Sequence, residues 1–422
     1  MYRPFFAVIL GLVMSGLFLP LSAAATPDDV ASNRAVNLIA KWIAAPADSR
    51  PDLATLEAAH TPLTKEDAAS VQKIFWQDHA DQIRRDRTAE MQAKVIELDG
   101  LKMKFDTLSF GDKDASPAGG RSLFLSLHGG GGAPAEVNES QWRNQIKLGN
   151  SYHPSEGIYL APRAPTDTWD LWHQPHIDRF FDRLIQNLIV LEGVNPDRVY
   201  ILGYSAGGDG VYQLGPRMAD RWAAASMMAG HPNDASPLSL RNIGFSIQVG
   251  ANDGAYHRNE IAGNWGRRMD ELAAADPGSY PHFTELHAGK GHWMDLDDKK
   301  AIPWMEKFTR DPLPKKIVWE QNAVVHPCFY WLAVPEKQAR GGQKITATRE
   351  GQTIHIESQD AGEITVLLND RMMDLDSPVT ITRNGATVFT GVPPRTMATL
   401  GSTLAMRGDP ELIFSAEVTL PQ

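Results

Sequence analysis

Residues 199–214, VYILGYSAGGDGVYQL, hold an apolar run that stops at Gly203, a serine between small residues, and an amphipathic stretch that begins at Ala206. A serine hydroxyl is a poor nucleophile near neutral pH. To react it needs a base that takes its proton, a group that holds the base, and donors for the oxyanion. Gly203-Tyr204-Ser205-Ala206-Gly207 fits G-x-S-x-G, in which small flanking residues let a strand turn sharply into a helix and lift the hydroxyl above the sheet edge. RVYIL predicts the strand, and Ala206 through Val211, Tyr212, Leu214 and Met218 predict the helix. A plain glycine turn packing a helix on a strand would show the same glycines, so each remaining requirement has to be found separately.

Upstream, SLFLSLHGGGGAP ends a buried-strand pattern in His128-Gly129-Gly130-Gly131-Gly132. Such a glycine run leaves the backbone free to aim N–H groups at a ligand, and one such donor stabilises a transition state by about 3 kcal/mol. Gly130, from the stretch Gly129 to Gly131, is taken as one oxyanion donor, and the amide of Ala206, which follows the serine, as the other. Downstream, IGFSIQVG ends in Gly250-Ala251-Asn252-Asp253, and HFTELHAG runs into Lys290-Gly291-His292-Trp293. Both place a polar residue just beyond the carboxyl end of a strand, the edge at which open α/β sheets bind ligands.

Other residues are weighed against these. Of the 13 histidines, His287 falls within a strand, and His257 is too near Asp253 in sequence to have a strand end of its own. His231, in MAGHPND, follows the strand after the serine helix and is expected to line the pocket. His128 and Tyr204 flank the motifs, and RAPTDTWDLWHQPH brings Trp169, Trp172 and His173 to a loop near the cleft. The tryptophans either stack on an aromatic or sugar-linked ester or simply pack the loop. Asp295, Asp297 and Asp298 are read as the start of the helix containing Trp304, where carboxylates suit the positive end of the helix dipole.

The order Ser205, Asp253, His292 is that of the α/β-hydrolases. NPDRVYILGYSAGGDG resembles the esterase branch that contains polyhydroxybutyrate depolymerases, feruloyl and acetyl-xylan esterases and dienelactone-hydrolase-like proteins. The resemblance covers residues 95 to 310 in outline, and neither the segment before nor the tail after. It implies that Ser205 attacks an ester carbonyl, His292 shuttles the proton, Asp253 orients His292, and the glycine loop with Ala206 holds the oxyanion. It implies no metal and no organic cofactor. The secreted depolymerases of this branch usually contain disulfides, which a chain with one cysteine cannot form within itself, so polymer degradation is disfavoured. Prolyl-oligopeptidase-like peptidases share the triad but carry a large N-terminal propeller, for which the segment here is too short. A peptidase would need the tail to gate the cleft. A further alternative is a glycan- or partner-binding protein on a hydrolase scaffold.

Beyond the motifs, strand patterns at 122–127, 157–162, 198–203, 223–230, 243–250 and 282–289 alternate with helical stretches such as 176–193 and 258–275. Strands apolar on both faces and separated by helices predict an α/β fold, a mostly parallel sheet flanked by helices. KVIEL and LKMKFDTLSF, joined by Asp99-Gly100, add an antiparallel edge hairpin. Residues 26–92 read as a helical leader in which Ile74, Phe75, Ile83 and Met91 pack on the domain at 93–313. Pro312 and Pro314 mark a linker to a small β-rich C-terminal domain, 316–422, with one helix near PRTMATLGSTLAMRG.

The chain has 422 residues and a formal net charge of −10, which argues against a nucleic-acid partner and for a neutral or small ester substrate, monomeric or oligomeric. Residues 1–25 have one early cation, Arg3, an apolar stretch from Phe5 to Leu19, Pro20, and Ala23-Ala24-Ala25. This reads as a signal peptide, with a secreted or periplasmic product not held in the membrane after cleavage. Cys328, the single cysteine, is read as a half-buried structural thiol at the start of a strand.

Overall fold

The computed structural model describes residues 37–46, 49–112, 117 and 119–421. The signal segment expected at 1–25 lies outside them. Among the described residues no helix is long and apolar enough to cross a membrane.

One eight-stranded sheet dominates, with β1 (Val95–Leu98), β2 (Leu101–Phe110), β3 (Arg121–Leu127), β4 (Gly157–Pro162), β5 (Val194–Tyr204), β6 (Ala224–Met228), β7 (Gly244–Gly250) and β8 (His282–His287). Their order is β1-β2-β4-β3-β5-β6-β7-β8. From β4 to β8 the pairing is parallel, and the β1–β2 hairpin joins it antiparallel through β4. Every residue of β4, β6 and β7 is buried, as a parallel sheet covered on both faces requires. The edge hairpin turns at Asp99 and Gly100, with φ of 50° and 78°, the geometry whose twist matches that of paired strands.

The helices are α1 (Lys65–Ala93), α2 (Ala135–Tyr152), α3 (Pro175–Glu192), α4 (Ala206–Arg217), α5 (Arg258–Ala275), α6 (Ala301–Met305) and α7 (Met397–Arg407). The buried face of α2 includes Asn138, Gln145, Gly149 and Tyr152, so no apolar stripe announced this helix in the sequence. The leader helix α1 begins at Thr64, whose hydroxyl accepts the Asp67 amide at 3.1 Å. It lies against α3 and α7, burying Phe75 and Ile83 and half-burying Ile74 and Met91. As expected, Asp297 and Asp298 stand in the first turn of the 3-10 helix Asp297–Lys300, which runs into the helix containing Trp304. Asp298 is in addition buried and accepts the Tyr152 hydroxyl at 2.6 Å, so it is an internal acceptor as well.

The tail forms two sheets. One pairs β10 (Cys328–Phe329), β11 (Leu332–Ala333), β14 (Ile364–Leu368) and β17 (Ala416–Leu420); the other pairs β16 (Ala386–Gly391), β15 (Val379–Arg383), β13 (Thr353–Gln359), β12 (Lys344–Glu350) and β9 (Lys316–Glu320). The run FYWLAV, residues 329–334, has strand-like composition but breaks at Tyr330, whose φ is 51°, into a tight hairpin. Its turn residues Tyr330 and Trp331 are fully buried: the Tyr330 amide donates to Asp220 at 3.0 Å and the Trp331 indole to the Pro314 carbonyl at 2.9 Å. Burial of two aromatic rings against the large sheet outweighs their strand preference.

The segment around Pro312 and Pro314 is buried rather than a free linker. One apolar core runs from Leu125 and Phe181 through Tyr330 to Ile356 and Phe414. Beside it lies a buried ionic weld. Arg310 holds Asp409 at 2.7 Å and Asp197 at 2.8 Å, Arg221 holds Asp182 at 2.9 Å, and Arg407 pairs with Asp220. Cys328 is buried, not half-buried, and its sulfur lies 2.7 Å from Arg407 Nη1; burial pushes its thiol pKa up, as befits a structural thiol. Asp197 sits near the start of β5 and Asp220 just before β6, so these contacts seat the tail at the sheet edge opposite the one where Ser205 emerges.

Candidate active site

Ser205 stands between the end of β5 and the first residue of α4, with φ 58° and ψ −122°. That left-handed conformation is unfavourable for a residue with a Cβ and is typical of a nucleophile elbow. Its surroundings hold it there. The Ser205 amide donates to the Met228 carbonyl at 2.9 Å, and the Asp209 amide closes the first helical turn onto the Ser205 carbonyl at 2.9 Å. The elbow also needs close backbone approach: a Cβ on Gly207 would lie 2.1 Å from the Leu127 carbonyl oxygen.

The ends of β7 and β8 then deliver the other two groups. His292 Nε2 lies 3.0 Å from Ser205 Oγ, and His292 Nδ1 lies 2.8 Å from Asp253 Oδ2. An ionised carboxylate can only accept, so Nδ1 carries the proton and Nε2 is left to accept from the serine hydroxyl. The Asp253 side chain is 1% exposed while that of His292 is 43% exposed, so the acid is sheltered and the base faces the cleft. The arrangement can take a proton from the serine and stabilise the resulting imidazolium.

The chain carries an α/β domain built on one mostly parallel eight-stranded sheet. No family model matches the chain. Among curated proteins, NocK from Nocardia uniformis subsp. tsuyamanensis, provisionally assigned as an esterase, is 32% identical over 128 residues. That match covers 30% of this chain and 37% of NocK, so the chain spans little more than a third of the relative's length. Among solved structures, LpqC, a poly(3-hydroxybutyrate) depolymerase from Bordetella parapertussis, is 14% identical with a TM-score of 0.38, over 55% of this chain and 95% of that one. A carboxylesterase from Mesorhizobium loti is 19% identical with a TM-score of 0.34, over 50% and 98%.

Within the α/β domain the glycine loop is clamped by Asn138, the fully buried side chain near the start of α2. Asn138 Oδ1 accepts the Gly131 amide at 2.9 Å while its Nδ2 donates to the Ala133 carbonyl at 3.1 Å and to Asp167 at 2.9 Å. The Gly132 amide is likewise bound, to the Asp167 carbonyl at 3.0 Å. Gly130 has φ of 108°, where a Cβ would come 2.1 Å from Asn138 Oδ1. Ala206 opens α4, so its N–H belongs to the first helical turn, which lacks an intrahelical acceptor.

A cavity of about 390 Å³ opens beside the serine, lined by Gly130, Gly131, Ser205 and Ala206 together with Trp169, Asp209, His231, Asn233, Tyr256 and Arg258. Its lining includes none of the described residues of the tail. A second cavity, about 360 Å³, lies on the other side of Gly129 and Tyr204, against Gln141, Asn144, Lys147 and Trp293. A third, about 400 Å³, is lined by Lys102, Lys104, Glu136, Glu139 and Arg163 and holds none of the three aligned residues.

The expected substrate-binding residues separate accordingly. Trp169, 64% exposed, and His231 line the first cavity. His231 Nδ1 accepts the Asn233 amide at 2.9 Å, and burial lowers the ring's pKa. His128 and Trp172 do not reach either cavity beside the serine: both are fully buried below the glycine loop. His128 Nε2 accepts the Ala164 amide at 3.1 Å, Nδ1 donates to the Gly129 carbonyl at 2.6 Å, and Trp172 donates to the His128 carbonyl at 2.9 Å. Burial holds the His128 pKa down to about 4, so this ring is a neutral strut. Tyr204 has a mixed place: its ring walls the second cavity, but its hydroxyl is committed to the loop of His292.

Several lining residues escaped the sequence reading, among them Asp209, Asn233, Tyr256, Arg258 and Trp293. Asp209 lies one helical turn after Ser205, a spacing that puts both on one face and could have revealed it. Burial pushes its carboxyl up to about 6. Tyr256 lies in the short 3-10 turn after Asp253 and Arg258 opens α5, and Trp293 follows His292. Only the folding of those loops shows which way they face.

Proposed function

We propose that this chain is a serine carboxylic-ester hydrolase that works through an acyl-enzyme, and that it acts outside the cytoplasm. The observation that carries the reading is the continuous hydrogen-bonded line from Ser205 through His292 to Asp253, set at a strained elbow beside an open cavity. Its likeness to NocK supports an ester rather than another acyl substrate. Export rests on the apolar leader with Ala23-Ala24-Ala25.

In the proposed reaction Ser205 Oγ forms a bond to the ester carbonyl carbon while its proton passes to His292 Nε2. The oxyanion is received by the amides of Gly130 and Ala206. On collapse the carbon–alkoxy bond breaks, and the alcohol leaves with the proton from His292. Water then attacks the acyl-serine, giving its proton to His292. The acid departs as Ser205 regains that proton. Asp253 keeps Nδ1 protonated and the ring in line throughout.

Fluorophosphonate labelling read by intact mass tests this. Wild type should gain one adduct and hydrolyse 4-nitrophenyl butyrate; folded Ser205→Ala should do neither. An adduct on Ser205→Ala, or none on either protein, rejects the assignment.

A further inference from the structure

Arg258 is paired less well than several other sheltered arginines of this chain. Arg217, Arg221, Arg241, Arg310 and Arg395 each hold a carboxylate at 2.6–2.9 Å. The Arg258 side chain is only 12% exposed, yet its nearest carboxylate oxygen, Asp253 Oδ1, is 3.8 Å away. Its one side-chain hydrogen bond among the described residues, to the Ala255 carbonyl, spans 3.4 Å, and its Nε, like that of Arg217, is buried without an acceptor. Guanidinium stays charged in proteins and offers five donors. A sheltered cation so poorly paired is unfavourable unless something else supplies the acceptors.

The surroundings say where those acceptors come from. Arg258 lines the 390 Å³ cavity that also contains Ser205. Tyr256, 74% exposed, lies over the guanidinium with the Arg258 Cζ 4.7 Å from its ring centroid. With one face covered by that ring, the N–H edge is left for acceptors in its plane. The other charges near it are already engaged: Asp253 with His292, and Asp209 as acceptor of the His231 amide at 2.6 Å.

We propose that Arg258 is a specificity-determining residue that binds a carboxylate carried by the ester substrate, close to the scissile carbonyl. This rests on the ester-hydrolase reading and narrows it to anionic esters. The carboxylate belongs either to the acyl part, as in a monoester of a dicarboxylic acid, or to the alcohol part, as in an ester of a hydroxy acid.

Two substrate pairs separate these sources: 4-nitrophenyl hemiglutarate against 4-nitrophenyl butyrate, and 3-acetoxybenzoate against phenyl acetate. Wild type should prefer the anion in one pair by about tenfold or more in kcat/KM, the scale of one charge-assisted hydrogen-bonded contact. Arg258→Gln should reduce that preference about tenfold, chiefly through KM for the anionic member, and Arg258→Lys should restore part of it. Equal kcat/KM within both pairs, or an equal fall for the anionic and neutral members in Arg258→Gln, overturns the inference while the ester-hydrolase reading stands. Should no ester be cleaved, calorimetry with glutarate on Ser205→Ala decides independently of the chemistry. Binding that Arg258→Gln removes supports the carboxylate site, and no binding overturns it.

Discussion

The Tyr204 hydroxyl donates to the main-chain carbonyl of His292 and accepts the Met294 amide at 3.2 Å, so the residue preceding the proposed nucleophile holds the loop that carries the proposed base. The Tyr204 and His292 rings also meet edge to face, with centroids 5.9 Å apart. Tyr204→Phe keeps the ring and removes the tie. Its kcat for a neutral ester should fall about tenfold or more with little change in KM, because small misplacement of a reacting group is costly. Steady-state kinetics beside a thermal melt checks this, and an unchanged kcat would show that the loop holds itself.

Asn138 makes a comparable prediction for the glycine loop. Replacing it by Ala leaves the Gly131 amide without its acceptor, a loss of about 1–3 kcal/mol in stability for a buried unsatisfied group. If the loop positions an oxyanion donor, kcat should also drop by about tenfold, short of the effect of deleting a donor outright. A destabilised variant with undiminished kcat would place the oxyanion elsewhere.

Two groups near the site should make stability depend on pH with opposite signs. His128 is held neutral by burial, its pKa lowered from 6.5 to about 4. The unfolded chain therefore takes up that proton first. Its contribution is fully present above pH 6.5 and is lost as pH falls toward 4, by ~3 kcal/mol. An NMR titration in which this imidazole protonates near pH 6.5 would refute the assignment.

Burial raises the Asp209 carboxyl from 3.8 to about 6 against the opposing pull of the His231 amide and Arg258. Here stability is fully present below pH 3.8 and lost as pH rises through 6, again by ~3 kcal/mol at most. Asp209→Asn keeps an acceptor for the His231 amide but cannot ionise. Its stability relative to wild type, measured by urea unfolding, should climb between pH 4 and 6; a flat difference would mean that the carboxyl titrates normally.

The tail should be inseparable from the α/β domain. Arg310, Asp409, Asp220 and Arg407 are all buried at their junction, and removing one partner from such a pair costs about 3–5 kcal/mol. A chain ending at residue 315 loses Asp409 and Arg407 together, and with Tyr330 and Trp331 gone it exposes the apolar residues they cover. It is expected to be insoluble or to melt far below the full chain; cooperative unfolding at the full-length temperature would contradict this.

Much of the architecture was legible from local signals. Apolar runs ended by glycine marked β3, β5, β7 and β8, and Ser205, Asp253 and His292 each lie just past such an end, so strand order alone set them on one edge of the sheet. Polar periodicity hid α2, whose buried face carries Asn138 and Gln145. Direction off the backbone was not legible at all. His128 and Trp172 adjoin the motifs yet point beneath the loop, while Arg258 and Trp293 belong to no motif and face the cavities. The tail's docking edge was equally hidden, because it depends on pairs such as Arg407 with Asp220, far apart in the chain. The sequence by itself determined where strands end and therefore which residues crown them. Which side chains turn into the cleft and which support it from below was decided only by tertiary packing, since those directions are set by contacts between segments that no local pattern relates.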